Sequence, residues 1–126
     1  MNWITGSETE ITFFEIIQKI KSHNQNSGQV FVGTDSLINS GNCIFVTSIV
    51  LLGAENQQGG LYFYKKEKYN EPTRFYTRIL REVEKSINIA MSITEVCPNV
   101  NLEVHLDVSP EENNEKTSRM AKMLMG

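Results

Sequence analysis

Two apolar runs in this chain end on an aspartate. Val30-Phe31-Val32-Gly33-Thr34 leads into Asp35, and Leu102-Glu103-Val104-His105-Leu106 leads into Asp107. A carboxylate at the end of a buried strand costs free energy unless a cation or several donors meet it. Alternation puts Phe31, Gly33 and Asp35 on one face of the first strand, and Glu103, His105 and Asp107 on one face of the other. If the two strands are parallel neighbours, both aspartates reach the same sheet edge, on backbones about 4.8 Å apart. Carboxylates that close repel, and one stays protonated unless a cation bridges them. Hard oxygen ligands of this kind select Mg²⁺ or Mn²⁺.

A third acid comes from the helix that must connect the two strands. A strand of seven residues climbs about 23 Å. The crossover helix descends antiparallel to it, so a residue level with the strand top lies about 15 positions before the helix end, at 1.5 Å each. Counting back from Val96 reaches Glu82, beside the apolar stripe, as the better third ligand; Glu84, on the other side and lower down, is the alternative. Three acids held together this way suit a two-metal site. One ion activates water, and the other stabilises the leaving oxygen of a phosphodiester.

The elements that would position these acids are legible along the chain. Ser7-Glu8-Thr9-Glu10 has the form of a capping box, and Ile11, Phe14, Ile17 and Ile20 follow at helical spacing, so a helix is expected over 9–23. His23 then falls in a polar breaker cluster, as a loop residue. Strands are expected over 29–35, 43–52 and 61–64. The turns Asn39-Ser40-Gly41-Asn42 and Gln57-Gln58-Gly59-Gly60 join them into an antiparallel meander.

The period then changes. Phe75, Ile79, Val83, Ile87, Ala90 and Thr94 give a helix over 72–96, with Arg74, Arg78, Arg81 and Lys85 expected on its solvated side. A fourth strand covers 101–107, and Ser109-Pro110-Glu111-Glu112 begins a last helix. The order α-β-β-β-α-β-α, with a right-handed crossover, makes strand four a parallel neighbour of strand one. His105 reads as a partly buried strand residue. Tyr62 and Tyr64 share a strand face, where they either stack bases or pack on a helix.

Bulk properties bound the rest. A chain of 126 residues with 40% hydrophobic content suits one globular domain spanning 1–126, with its core over 29–126. A net charge of −3 supplies no global field for a polyanion, so a bound metal or a local basic strip must attract one. Cys43 and Cys97 form no C-x-x-C pair and read as core thiols of a reducing cytosol. No membrane span and no signal peptide are evident, so a cytoplasmic protein is expected.

The motifs "FVGTDS", "GGLYFYKKEK", "RILREVEKSINIA" and "VHLDVSP", on this element order, resemble the YkuK-type family of bacterial ribonuclease H-like proteins. The resemblance covers about 9–126. It implies an α/β ribonuclease H-like fold: a three-stranded antiparallel meander, a parallel fourth strand, and helices packed on the sheet. It also implies a metal-dependent nuclease with Asp35, Glu82 and Asp107 as catalytic metal ligands, Mg²⁺ or Mn²⁺ as cofactor, and RNA, DNA or a hybrid as substrate. Members of that family continue into a further strand and helix with a fourth acidic position, so a chain truncated at its carboxy terminus, and weakly active or inactive, is expected. The rival reading is the same fold as a non-catalytic module that binds nucleic acid or protein.

Overall fold

A computed structural model describes residues 2–55, 59–70 and 74–106. Strands β1 (Trp3–Thr5) and β2 (Glu10–Ile11) precede helix α1 (Phe13–Gln25). Strands β3 (Gln29–Asn39), β4 (Asn42–Leu52) and β5 (Leu61–Tyr69) follow, then helix α2 (Phe75–Val96) and strand β6 (Leu102–Leu106). The strands form one sheet in the order β2-β1-β5-β4-β3-β6.

The meander is present and longer than its sequence signals. β3 and β4 pair antiparallel from Gln29↔Leu52 to Asn39↔Asn42, closing on a two-residue turn. Ser40 and Gly41 both take positive φ there, 51° and 81°, the geometry of a type I′ hairpin. β4 pairs antiparallel with β5, and β6 pairs parallel with β3 from Val30↔Leu102 to Thr34↔Leu106. The expected parallel partnership of the first and fourth strands therefore holds over every described position.

Alternation gives the sheet two unlike faces. Val30, Val32 and Thr34 of β3, with Phe45, Thr47, Ile49 and Leu51 of β4, are buried under the helices. Ile16, Ile17 and Ile20 from α1 and Ile93 from α2 complete that core with Trp3 and Phe63. Fully burying such a side chain stabilises by about 1.5–3 kcal/mol, which is what anchors both helices to this one face. The opposite face carries Phe31, Gly33 and Asp35 of β3, Val46, Ser48 and Val50 of β4, and Tyr62 and Tyr64 of β5. No helix among the described residues covers it.

The amino terminus departs from its expected form. The capping box is Thr12-Phe13-Phe14-Glu15, not residues 7–10: Glu15 N–H donates to Thr12 Oγ1 at 3.1 Å, and Thr12 N–H donates to Glu15 Oε1 at 3.1 Å. Both tetrads match the motif, but Glu10 and Ile11 pair with Ile4 and Trp3, which buries Trp3 and Ile11. That pairing delays the helix to Phe13. His23 is likewise no loop residue. It lies in the last turn of α1, 7% exposed, with Nε2 3.0 Å from the carbonyl of Gln29 and 2.9 Å from that of Leu52. Cys43 and Cys97 are buried free thiols, as expected.

Candidate functional site

β3 is the strand at which the sheet changes from antiparallel to parallel pairing, with β4 on one side and β6 on the other. In open α/β sheets, ligands bind beyond the carboxyl ends of strands where the connection reverses. Asp35, expected at the end of its strand, lies inside β3, which runs on to Asn39 because its pairing with β4 continues to the hairpin turn. It stands one residue past the last described β3–β6 pair, exposed, on the rung with Val46 and Lys66. It lies on the face turned away from the helices, in a cavity of about 210 Å³ also lined by Phe31, Gly33, Ser48 and His105.

Glu82 comes to the same level of β3 from the other side. Its carboxylate is 7% exposed and accepts a hydrogen bond from Ser36 Oγ. Arg78, one turn earlier, donates from Nε to Ser36 Oγ at 3.1 Å and from Nη2 to the Ser36 carbonyl at 3.1 Å. Residues 35 and 36 leave a strand on opposite faces, so Asp35 and Glu82 flank β3 rather than meet on one face. Glu84 is exposed. Asp107, together with the expected last helix, lies outside the described residues. Among the described residues no group of three or more His, Cys, Asp and Glu side chains could hold a metal ion.

Below Glu82 a line of hydroxyls crosses the helix–sheet interface. Ser86 Oγ donates to Thr34 Oγ1 at 2.8 Å, and Thr34 Oγ1 donates to Thr47 Oγ1 at 3.2 Å, all buried. Lys85 Nζ donates to Glu67 Oε2 at 3.0 Å and to the Tyr69 hydroxyl at 2.9 Å, above the rings of Phe45 and Tyr69. Burial works against the Lys85 charge, but the Tyr69 and Glu67 hydrogen bonds outweigh it and raise the pKa above the ordinary lysine value. The Arg81 guanidinium lies 4.9 Å from the Tyr69 ring centroid, and its buried Nη1 finds no acceptor among the described residues.

Arg78, Arg81 and Lys85 thus reach toward the sheet, against the expectation that they form a solvated side of the helix. A hydrophobic count of α2 misses this because its inward face is mixed: buried Ile79, Val83, Ala90 and Ile93 share it with Glu82 and Ser86. The spacing Arg78, Glu82, Lys85, Ser86 follows the same helical period and was the available signal. Ile87, assigned inward by spacing, is 41% exposed.

His105 is exposed on the open face, edge-on to the Phe31 ring at 5.2 Å and 3.1 Å from Glu103 Oε2. Tyr62 and Tyr64 also occupy that face, with ring centroids 6.4 Å apart and planes 25° from parallel. The expectation that they pack on a helix is not met by α1 or α2.

No curated protein and no solved structure matches the chain. The sequence profile described as Ribonuclease H-like matches residues 12–126, which spans β3, α2 and β6 and all three of the expected acids. The mixed sheet, with an antiparallel meander, a parallel strand beside its first member and a crossover helix between them, agrees with that match. The chain belongs to the ribonuclease H-like family.

Proposed function

We propose that the protein binds nucleic acid and hydrolyses its phosphodiester bonds with Mg²⁺ or Mn²⁺ held by Asp35 and Asp107. One observation carries this reading: the parallel register of β3 and β6 runs to Thr34↔Leu106, and the next residue of each strand in sequence is an aspartate. These are the chain's two aspartates. Two hard carboxylates that directly follow a parallel-paired rung in sequence suit such an ion, which when bound would supply the Lewis acidity and activated water of the reaction. Asp35 lines the open-face cavity, where a phosphate can approach from solvent. Glu82 acts as a positioning residue, holding β3 through Ser36 and so fixing the level of Asp35. The two free, buried cysteines suit a reducing compartment such as the cytoplasm, and no helix among the described residues is long and apolar enough to cross a membrane.

Mn²⁺ titration should raise the melting temperature, by about 2.7 kcal/mol of stability at a hundredfold excess over Kd. Asp35→Asn and Asp107→Asn should each abolish that rise, along with any Mn²⁺-dependent cleavage of fluorescent RNA, DNA or hybrid oligonucleotides. A metal response that survives both substitutions would place the ion elsewhere and remove the basis for hydrolysis.

A second reading, a binding module of the same fold without catalysis, is favoured by one observation. Glu82, the helix acid expected as third ligand, is committed to Ser36 on the face away from Asp35. Binding of oligonucleotide without cleavage in either metal would decide for it.

A further inference from the structure

We propose that the sheet face turned away from α1 and α2 is a platform for single-stranded nucleic acid, stacking bases on Tyr62 and Tyr64 and holding phosphates with Lys66 and Lys68. The inference rests on the nucleic-acid reading above and assigns it a binding surface on β5, beside the cavity that Asp35 lines on the same face.

β5 alternates by face. Phe63, Lys65, Glu67 and Tyr69 turn toward the helices, and Tyr62, Tyr64, Lys66 and Lys68 form an unbroken row on the other side. Two aromatics followed by two cations, each at every second residue, repeat at about 6.8 Å along the strand. Tyr62 is 48% exposed although it is a large ring in a sheet of six strands. Its edge is seated on Gly6: a Cβ at that position would come within 2.9 Å of Cε1, so the missing side chain lets the ring lie there. The Tyr64 hydroxyl makes a long, exposed contact of 3.4 Å with Glu8 Oε1. The seat on Gly6 orients the Tyr62 ring before any ligand arrives, which lowers the ordering cost of binding.

The spacing suits bases. Centroids 6.4 Å apart with nearly parallel planes correspond to roughly two stacking steps of about 3.4 Å. Stacking on tyrosine is available to every base and tolerates sequence, because each base has a π-face. A duplex hides those faces, so the platform selects single strands. Charge sets the path. Lys66 Nζ lies 5.9 Å from the Tyr64 ring centroid and Lys68 follows on the same side of β5, whereas Glu103 and Asp35 mark the β6 side of the face and Glu8 the β1 side, against Tyr64. A polyanion is thereby steered along β5 despite the net charge of −3. Ser48, between Tyr64 and Gly33 on one rung, offers a hydroxyl toward the same face.

The test is fluorescence anisotropy of labelled single-stranded RNA and DNA in EDTA, where no cleavage occurs, with the matching duplex as comparison. Tyr62→Leu should weaken single-strand binding by about 5- to 150-fold, the range for one lost base stack, while Tyr62→Phe should bind as the wild type does. Lys66→Gln with Lys68→Gln should reduce the salt-dependence slope by about 1.4, at about 0.7 per released phosphate contact. All four side chains are at least partly exposed, and a circular-dichroism melt verifies folding of each variant. Wild-type affinity in Tyr62→Leu, a duplex bound as tightly as a single strand, or no binding at all would overturn the platform. If Tyr62→Leu binds normally while Mn²⁺-dependent cleavage persists, the platform falls and the hydrolase stands. Tyr62-dependent binding without cleavage is the reverse outcome.

Discussion

Ser36 Oγ donates to the Glu82 carboxylate across the β3–α2 interface, one residue beyond Asp35, which leaves the same strand on the opposite face. At this level β3 is therefore shared between two environments. One is a buried polar lane that fixes the helix against the strand. The other is a solvent-facing acid on an open sheet. A buried carboxylate is tolerable only while its donors remain, so the lane should behave as a structural unit with measurable cost when opened.

Ser36→Ala is expected to destabilise the protein by about 1–3 kcal/mol, the cost of taking one donor from the buried Glu82 carboxylate and one acceptor from Arg78 Nε. Urea denaturation with an unchanged m-value would measure it. Glu82→Gln should cost less, since the amide keeps one acceptor for Ser36. Both variants should retain the Mn²⁺ response assigned to the aspartates. If Glu82→Gln folds normally but loses that response, Glu82 is a ligand and its positioning role is wrong.

Lys85 gives the interface an alkaline limit. Its folded pKa is raised, through the Tyr69 and Glu67 hydrogen bonds acting against burial. A raised folded pKa means that stability is fully present below the ordinary lysine value and is lost as pH rises through the folded one. Thermal melts across the alkaline range should show the wild type losing stability more steeply than Lys85→Met. Parallel curves for the two proteins would mean that Glu67 and Tyr69 do not hold the charge.

The meander, the crossover helix and the parallel partnership of β3 with β6 were legible because each has a strong local signal: β-branched runs, an Asn-Ser-Gly-Asn turn, and apolar residues at helical spacing. The faces were legible too, since alternation alone puts Asp35 beside Phe31 and Gly33. What failed needed tertiary information. β2 has two residues and forms only because Trp3 and Ile11 bury each other, so no periodicity announces it. Arg78, Arg81 and Lys85 looked solvated because charge on a helix usually is. Here a tyrosine ring, a glutamate and a strand carbonyl receive them. Rise per residue sets the height of Glu82 along the strand but not the face on which its side chain arrives.

The true helix start can be tested against its decoy. Thr12→Ala should cost about 0.5–2 kcal/mol, as for other lost caps, whereas Ser7→Ala should stay within about 0.5 kcal/mol. The Glu15 pKa is lowered, first by the Thr12 backbone N–H and then by its hydroxyl. Stability from this pair is present above the ordinary carboxylate value and is lost as pH falls through the lowered one. Thr12→Ala removes the hydroxyl but keeps the backbone N–H, so it should flatten the acid limb of a stability–pH curve in part, and Ser7→Ala should leave it unchanged.

Gly28 joins α1 to β3 at a place where a side chain has no room. A Cβ there would fall 2.1 Å from His23 Nε2 and 2.3 Å from Cδ2. The ring cannot simply swing aside, because it is 7% exposed and its Nε2 lies within hydrogen-bond distance of both the Gln29 and Leu52 carbonyls. With two acceptors facing it, Nε2 carries the proton, and the imidazole ties the start of β3 to the end of β4. Gly28→Ala must either displace the ring and leave two carbonyls short of a donor, or push the turn off α1. Overpacking alone costs about 1–3 kcal/mol, and a lost buried hydrogen bond adds about 1–3 kcal/mol. In the double variant Gly28→Ala, His23→Ala the steric term should vanish, so the two changes together should cost clearly less than the sum of each alone. A double-mutant cycle on urea midpoints measures that difference, and strict additivity would show that the alanine methyl never meets the ring.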